Sequence, residues 1–248
     1  MIQKPIEVDQ KICGTVYLPQ ASGRYPTVLL LHGFSGSRME NGFFFVKLGR
    51  ALAAQGIAAV TFDFRHSGES EGSFDQMLIT GELQDTMRMT QWMRTQSFCD
   101  RTCMGLLGFS LGGLLTATAM ARTDVYKAAV MLAPTTVDNI LRITRREEGT
   151  RPAVASAYLH ADFARDALTL NPVSDVIKNP RPTLLVQGTD DKAVPPRISQ
   201  AFVDAMNRVG MALDHVLIDG ADHSFSKPDH RQRVIELVVD WISKTLKA

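Results

Sequence analysis

The stretch "MGLLGFSLGGLL", Met104 to Leu115, decides the fold. An apolar run stops at Gly108, a lone hydroxyl stands at Ser110, and the run resumes past Gly113 as "LLTATAMA". The first half reads as a strand and the second as a helix, with "GFSLG" as a G-x-S-x-G turn between them. A serine on so tight a turn is held with its Oγ above the sheet. Glycines two before and two after it remove the Cβ atoms that would collide with the turning backbone. The helix starting near Leu111 points unpaired N–H groups at the same spot, where an oxyanion can rest.

Six further strand-like runs surround this one. They are "KICGTVYL", "TVLLLH", "IAAVTFDF", "KAAVMLAP", "PTLLVQG" and "LDHVLIDG". The central ones are short and nearly all apolar, which marks strands covered on both faces of a parallel sheet. Segments of helical period lie between them. Ile198, Ala201, Phe202, Ala205 and Val209 share one face, as do Val234, Leu237, Val238, Trp241 and Ile242. A third helix is expected from Thr80, where Glu82 and Asp85 suit an N-terminal turn. This alternation predicts an α/β fold with right-handed crossovers, in which ligands bind at the carboxyl ends of the strands. Residues 1–248 are read as one domain.

One region breaks the alternation. From Thr135 to Asn179, about forty-five residues separate two strands, far more than a usual connection, so a folded cap or lid insertion is expected over 135–179. Its polar, arginine-rich part contains Arg142, Arg145, Arg146 and Arg151, and its apolar part contains Tyr158, Leu159 and Phe163.

Composition narrows the classes of function. Lys plus Arg (27) nearly cancel Asp plus Glu (26), with 45% hydrophobic and 21% charged residues. No basic excess is available to neutralise phosphates, so neither nucleic acid nor a membrane surface is an expected partner. The opening "MIQKPIEVDQK" lacks an apolar core of the secretory kind, and no run is long enough to span a bilayer. Cys13, Cys99 and Cys103 are too few and too oddly spaced for a disulfide framework or a zinc site. A cytoplasmic protein with free thiols and no metal is expected.

A serine hydroxyl is a poor nucleophile until a base takes its proton. His223, in "LIDGADHSF", follows the last strand and is the favoured base among six histidines. His32 and His66 also follow strands, whereas His160, His215 and His230 read as surface or packing residues. The imidazole in turn needs a carboxylate to set its tautomer. Asp190 and Asp191, in "GTDDKAVP", follow the strand "PTLLVQG", and Asp222 neighbours His223 in the chain. Adjacent loop residues usually point apart, which disfavours Asp222.

With these pieces in place the chain resembles the serine α/β-hydrolases over nearly its whole length. "HGFSG" after an early strand, "GFSLGG", "GTDDKAVP" and "GADHSF" carry the likeness. It implies an α/β-hydrolase fold with a mostly parallel sheet and a catalytic triad of Ser110, Asp191 and His223. Asp191 is chosen because the family's G-x-x-D-x-x-V-P pattern puts the acid three residues after the glycine. The family's oxyanion hole corresponds to the backbone N–H groups of Phe34 and Leu111. The turn "DFRHSGES" departs from a common family pattern at His66 and Ser67, which bears on substrate access rather than on catalysis. A narrower likeness, carried by "DFARDALTLNP" and "GADHSF", is to bacterial cinnamoyl and feruloyl esterases. There the cap contacts the ring hydroxyls, and Asp138 is the candidate for such a contact, with a helix-capping role as its alternative.

The implied activity is carboxylic ester hydrolysis through an acyl-serine, with a small-molecule ester as partner and no cofactor. A homodimer is compatible with this reading. Two others compete with it. An acyl-CoA thioesterase would use the arginines of the insertion on a phosphate, and an aminopeptidase-like hydrolase would use the same triad. A receptor on a hydrolase scaffold ranks below both, because such a protein has no need of the triad.

Overall fold

The computed structural model describes residues 1–9, 11–144, 153–154 and 157–247. Eight strands form one sheet in the order β1-β2-β4-β3-β5-β6-β9-β10. They are β1 (Ile2–Val8), β2 (Ile12–Leu18), β3 (Tyr25–Leu31), β4 (Ala58–Phe62), β5 (Cys99–Phe109), β6 (Tyr126–Leu132), β9 (Thr183–Gly188) and β10 (Leu213–Ile218). The first two are antiparallel to each other, and β2 is antiparallel to β4. From β4 through β10 every pairing is parallel.

Parallel strands need crossovers, and these are α1 (Phe44–Ala54), α2 (Ile79–Thr95), α3 (Leu111–Met120) and α7 (Pro196–Arg208), with α8 (Pro228–Lys247) closing the chain. The helices cover both faces of the sheet, which explains the unbroken apolar runs. In β3, Leu29 and Leu31 join the core under α2 and α3, with Leu83, Met89 and Leu114. Val28 and Leu30 point the other way, into a core with Phe45 and Leu48 of α1 and Val234 and Val238 of α8. A third cluster packs Phe202 and Met206 of α7 on Leu185 and Met131.

Between β6 and β9 lie α4 (Val137–Thr144), a two-residue pair β7 (Ala153–Val154) and β8 (Ala157–Tyr158), α5 (Phe163–Ala167) and α6 (Pro172–Asp175). Arg145, Arg146 and Arg151 lie outside the described residues. Outside the insertion, β1 and α1 go beyond the sequence reading. The cysteines Cys13, Cys99 and Cys103 are free thiols. Among the described residues no helix is long and apolar enough to cross a membrane.

Candidate active site

Ser110 sits between β5 and α3 with φ 55° and ψ −111°, a conformation that costs a non-glycine residue on the order of 1–3 kcal/mol. Its neighbours hold it there. The Ser110 amide donates to the Leu132 carbonyl at 2.8 Å, and its own carbonyl accepts from Gly113 at 3.0 Å and Thr135 at 3.2 Å. A side chain at Gly108 would run into the Gly112 carbonyl, and one at Gly112 into the Leu31 carbonyl. Both glycines of the motif are therefore steric requirements of the close approach between α3 and the sheet.

The structure brings the other two predicted residues to this serine. His223 Nε2 lies 3.0 Å from Ser110 Oγ, and His223 Nδ1 lies 2.7 Å from Asp191 Oδ2. That carboxylate is 2% exposed and accepts from the Val194 amide through Oδ1 at 2.7 Å. The imidazole packs tilted against Phe109, with ring centroids 4.9 Å apart. The choice among carboxylates is thus geometric. Asp190 is exposed, and Asp222 turns away to accept from the Ser226 amide at 2.7 Å.

Sequence reasoning missed Gln187. Its Nε2 donates to Asp191 Oδ2 at 2.9 Å and to the Val194 carbonyl at 3.1 Å, closing a ring behind the carboxylate. A signal was present, because a lone amide in "TLLVQG" is a buried polar group that needs a partner.

Phe34 lines the space in front of Ser110, and Leu111 follows the serine in the chain. Leu111 is the first residue of α3, so its N–H has no acceptor within the helix. Phe34 follows Gly33, whose carbonyl accepts from His32 Nδ1 at 2.8 Å and from the Gly36 amide at 3.0 Å. His32 Nε2 in turn accepts from the Phe64 amide at 3.2 Å, which fixes a neutral ring with its proton on Nδ1. Burial pushes the His32 imidazole below the ordinary histidine range, partly offset by the Gly33 bond and Asp63. His32 is therefore part of the scaffold and not a second base. On the far side of the loop, Arg38 bridges the buried Asp63 and the exposed Glu69. The turn "DFRHSGES" thus anchors the loop that carries Phe34.

An open cavity of about 490 Å³ lies in front of Ser110, lined by Phe34, Met39, Glu40, Phe43, Ser110 and His223 among others. Among the described residues none of 135–179 lines it. The described part of the insertion approaches from behind, where buried Phe163 stacks on Phe34 at 5.7 Å between centroids. Asp138 is not brought to the serine. The apolar residues Val137 and Ile140 turn inward and send it outward, onto a separate hollow of about 470 Å³ shared with Asn171 and Arg197. Nor does it cap α4, since Thr136 Oγ1 accepts from the Asn139 amide at 3.4 Å. Arg142 is engaged with Asn139 Oδ1 at 2.9 Å.

Comparison with known proteins agrees with this architecture. A model of the prolyl oligopeptidase family matches residues 46–248, beginning past the loop of Phe34 and Glu40. An uncharacterised 31.7 kDa protein of Escherichia coli is 29% identical over 124 residues, which cover 50% of this chain and 42% of that protein. The chain thus spans less than half the length of that relative. Putative esterase YitV of Bacillus subtilis is 25% identical over 202 residues, covering 73% of this chain and 74% of that one. In fold, the chain matches Est1E from Butyrivibrio proteoclasticus, solved with ferulic acid bound, at a TM-score of 0.85 and 23% identity over 99% of this chain and 100% of that one.

Proposed function

The chain belongs to the prolyl oligopeptidase family, and we propose that this α/β-hydrolase cleaves carboxylic esters through an acyl-enzyme on Ser110. The observation that carries the reading is the unbroken relay from Ser110 Oγ to His223 Nε2 at 3.0 Å and from Nδ1 to Asp191 Oδ2 at 2.7 Å. Ser110 Oγ attacks the ester carbonyl as its proton passes to His223 Nε2. The imidazolium keeps its Nδ1–H on Asp191, a carboxylate that stays ionised and stabilises the new charge. The oxyanion is received by the amides of Phe34 and Leu111 at the start of α3, where losing one donor costs on the order of 10²–10³ in rate. Collapse of the tetrahedral intermediate returns the proton from His223 to the departing alkoxide. Water then attacks the acyl-Ser110 carbonyl by the same route in reverse.

Esters are favoured because the relatives bearing functional names include a putative esterase and a structure solved with ferulic acid. Hydroxycinnamate esters are the finer proposal. The family match favours a second reading, hydrolysis of aminoacyl amides by the same triad.

One panel separates them: p-nitrophenyl acetate and butyrate, methyl hydroxycinnamates, aminoacyl p-nitroanilides and an acyl-CoA. Esters are expected to turn over best, and Ser110→Ala is expected to abolish turnover and labelling by a fluorophosphonate. Preference for the anilides would replace ester hydrolysis with the second reading. Full activity in Ser110→Ala would end both.

A further inference from the structure

Glu40 stands in a backbone conformation that suits glycine, with φ 55° and ψ 165°. A side chain there is strained, so the carboxylate has to compensate by what it holds. What it holds is the peptide next to the oxyanion donor. The Gly33 amide donates to Glu40 Oε1 at 2.6 Å, and the Asn41 amide reaches Oε2 at 3.3 Å. Oε1 also lies 3.4 Å and 3.1 Å from where side chains at Gly33 and Gly36 would begin, so the backbone wraps the carboxylate closely. Burial pushes this carboxyl above the ordinary range, opposed by the Gly33 and Asn41 amides and by His223.

The consequence follows from peptide geometry. The Gly33 carbonyl and the Phe34 N–H belong to one planar trans unit and point in opposite directions. His32 and the Gly36 amide hold that carbonyl. Glu40 holds the preceding N–H, at the other end of Gly33. Gly33 has no side chain to limit its rotation, so with both of its flanking peptides pinned the Phe34 N–H keeps a fixed aim. Of the described residues lining the cavity, Glu40 is the only acidic one.

We infer that Glu40 is a positioning residue, whose carboxylate clamps the Gly33 amide and thereby aims the Phe34 N–H at the oxyanion. This rests on the ester-hydrolase reading of Ser110 but assigns a function to a residue which that reading does not use. An oxyanion donor acts in the transition state more than in the ground state, so loss of its aim is expected in kcat and not in KM.

The test compares wild type, Glu40→Gln and Glu40→Gly on p-nitrophenyl butyrate and by the second-order rate of fluorophosphonate labelling, with Tm measured for each. Gly relieves the backbone and removes the clamp. Gln keeps an acceptor for the Gly33 amide but a weaker one. The expected order of kcat is wild type, then Gln about 3- to 10-fold lower, then Gly about 10- to 100-fold lower, with KM within about threefold throughout and labelling rates in the same order. Unchanged kcat in the Gly variant, a loss confined to KM, or Gln falling as far as Gly would overturn the inference. If Glu40→Gly does not fold, Glu40→Gln decides alone, and wild-type kcat or a loss in KM counts against it. Should Ser110→Ala retain turnover and labelling, the hydrolase reading itself fails, whatever Glu40 does.

Discussion

Gln187 shows how much of the hydrogen-bonded relay from Ser110 to Asp191 is held by residues outside it. Asp191 needs several donors to remain a buried anion, and Gln187 Nε2, the Val194 amide and His223 supply them. Gln187 also ties the Val194 carbonyl, so one amide sets both the carboxylate and the loop that carries it. Truncation at this position leaves Asp191 short of a donor and its loop without a brace. Gln187→Ala is expected to lower kcat by about 10- to 100-fold with little change in KM, because a displaced imidazole misdirects proton transfer. Steady-state kinetics on a p-nitrophenyl ester checks this, and an unchanged kcat would show that Val194 suffices.

Helices and strands differ in how plainly the chain announces them. The buried strands were legible because both faces of the sheet are covered, so "TVLLLH" and "CMGLLGF" carry no polar interruption. The edge strand β1 was not, since its exposed residues and Pro5 follow no such pattern and only its pairing with β2 defines it. Helix α1 begins at Phe44 after a left-handed Phe43 with no side-chain cap, so no start signal marks it. That Ser110, Asp191 and His223 meet was legible because each follows a strand. Glu40 was not, because its partner Gly33 is met only when the loop folds back. Helix α2 gives a similar lesson. Its N-cap position, Leu78, supplies no side-chain bond, and Asp166 of α5 caps it from the insertion instead. Asp166 accepts from the Thr80 amide at 3.0 Å and from the Thr80 hydroxyl, and a carboxylate there also meets the helix dipole favourably. Asp166→Ala is expected to cost about 0.5–2 kcal/mol. Hydrogen exchange is expected to rise in the first turn of α2 and in α5 before it rises in the sheet. A uniform rise would show that this contact does not fasten the insertion.

Taken together, the protein carries buried titratable groups whose effects on stability run in opposite directions. His32 is 1% exposed and its folded-state pKa lies below the unfolded value. The unfolded chain therefore binds more protons than the folded one just below about pH 6.5, and His32 withdraws stability as pH falls through that window. Glu82 is 3% exposed, its Oε2 has no hydrogen-bond partner, and burial, followed by the Asp85 charge, raises its pKa well above the ordinary carboxylate range. Here the folded state binds the extra proton, so stability is present in full below the unfolded pKa of about 4.5 and declines as pH rises through the raised value. Burial likewise raises Asp85, against the opposing pull of its bonds to Arg65. Glu82→Gln keeps the shape of the side chain and removes its ionisation. The variant is expected to melt close to wild type near about pH 5 and above it near about pH 8–9, each kcal/mol relieved being worth roughly 2–4 °C at this chain length. Thermal melts of both proteins at the two pH values check this. A Tm difference that is the same at both would mean that Glu82 does not titrate between them, and that the alkaline side of the stability curve has another origin.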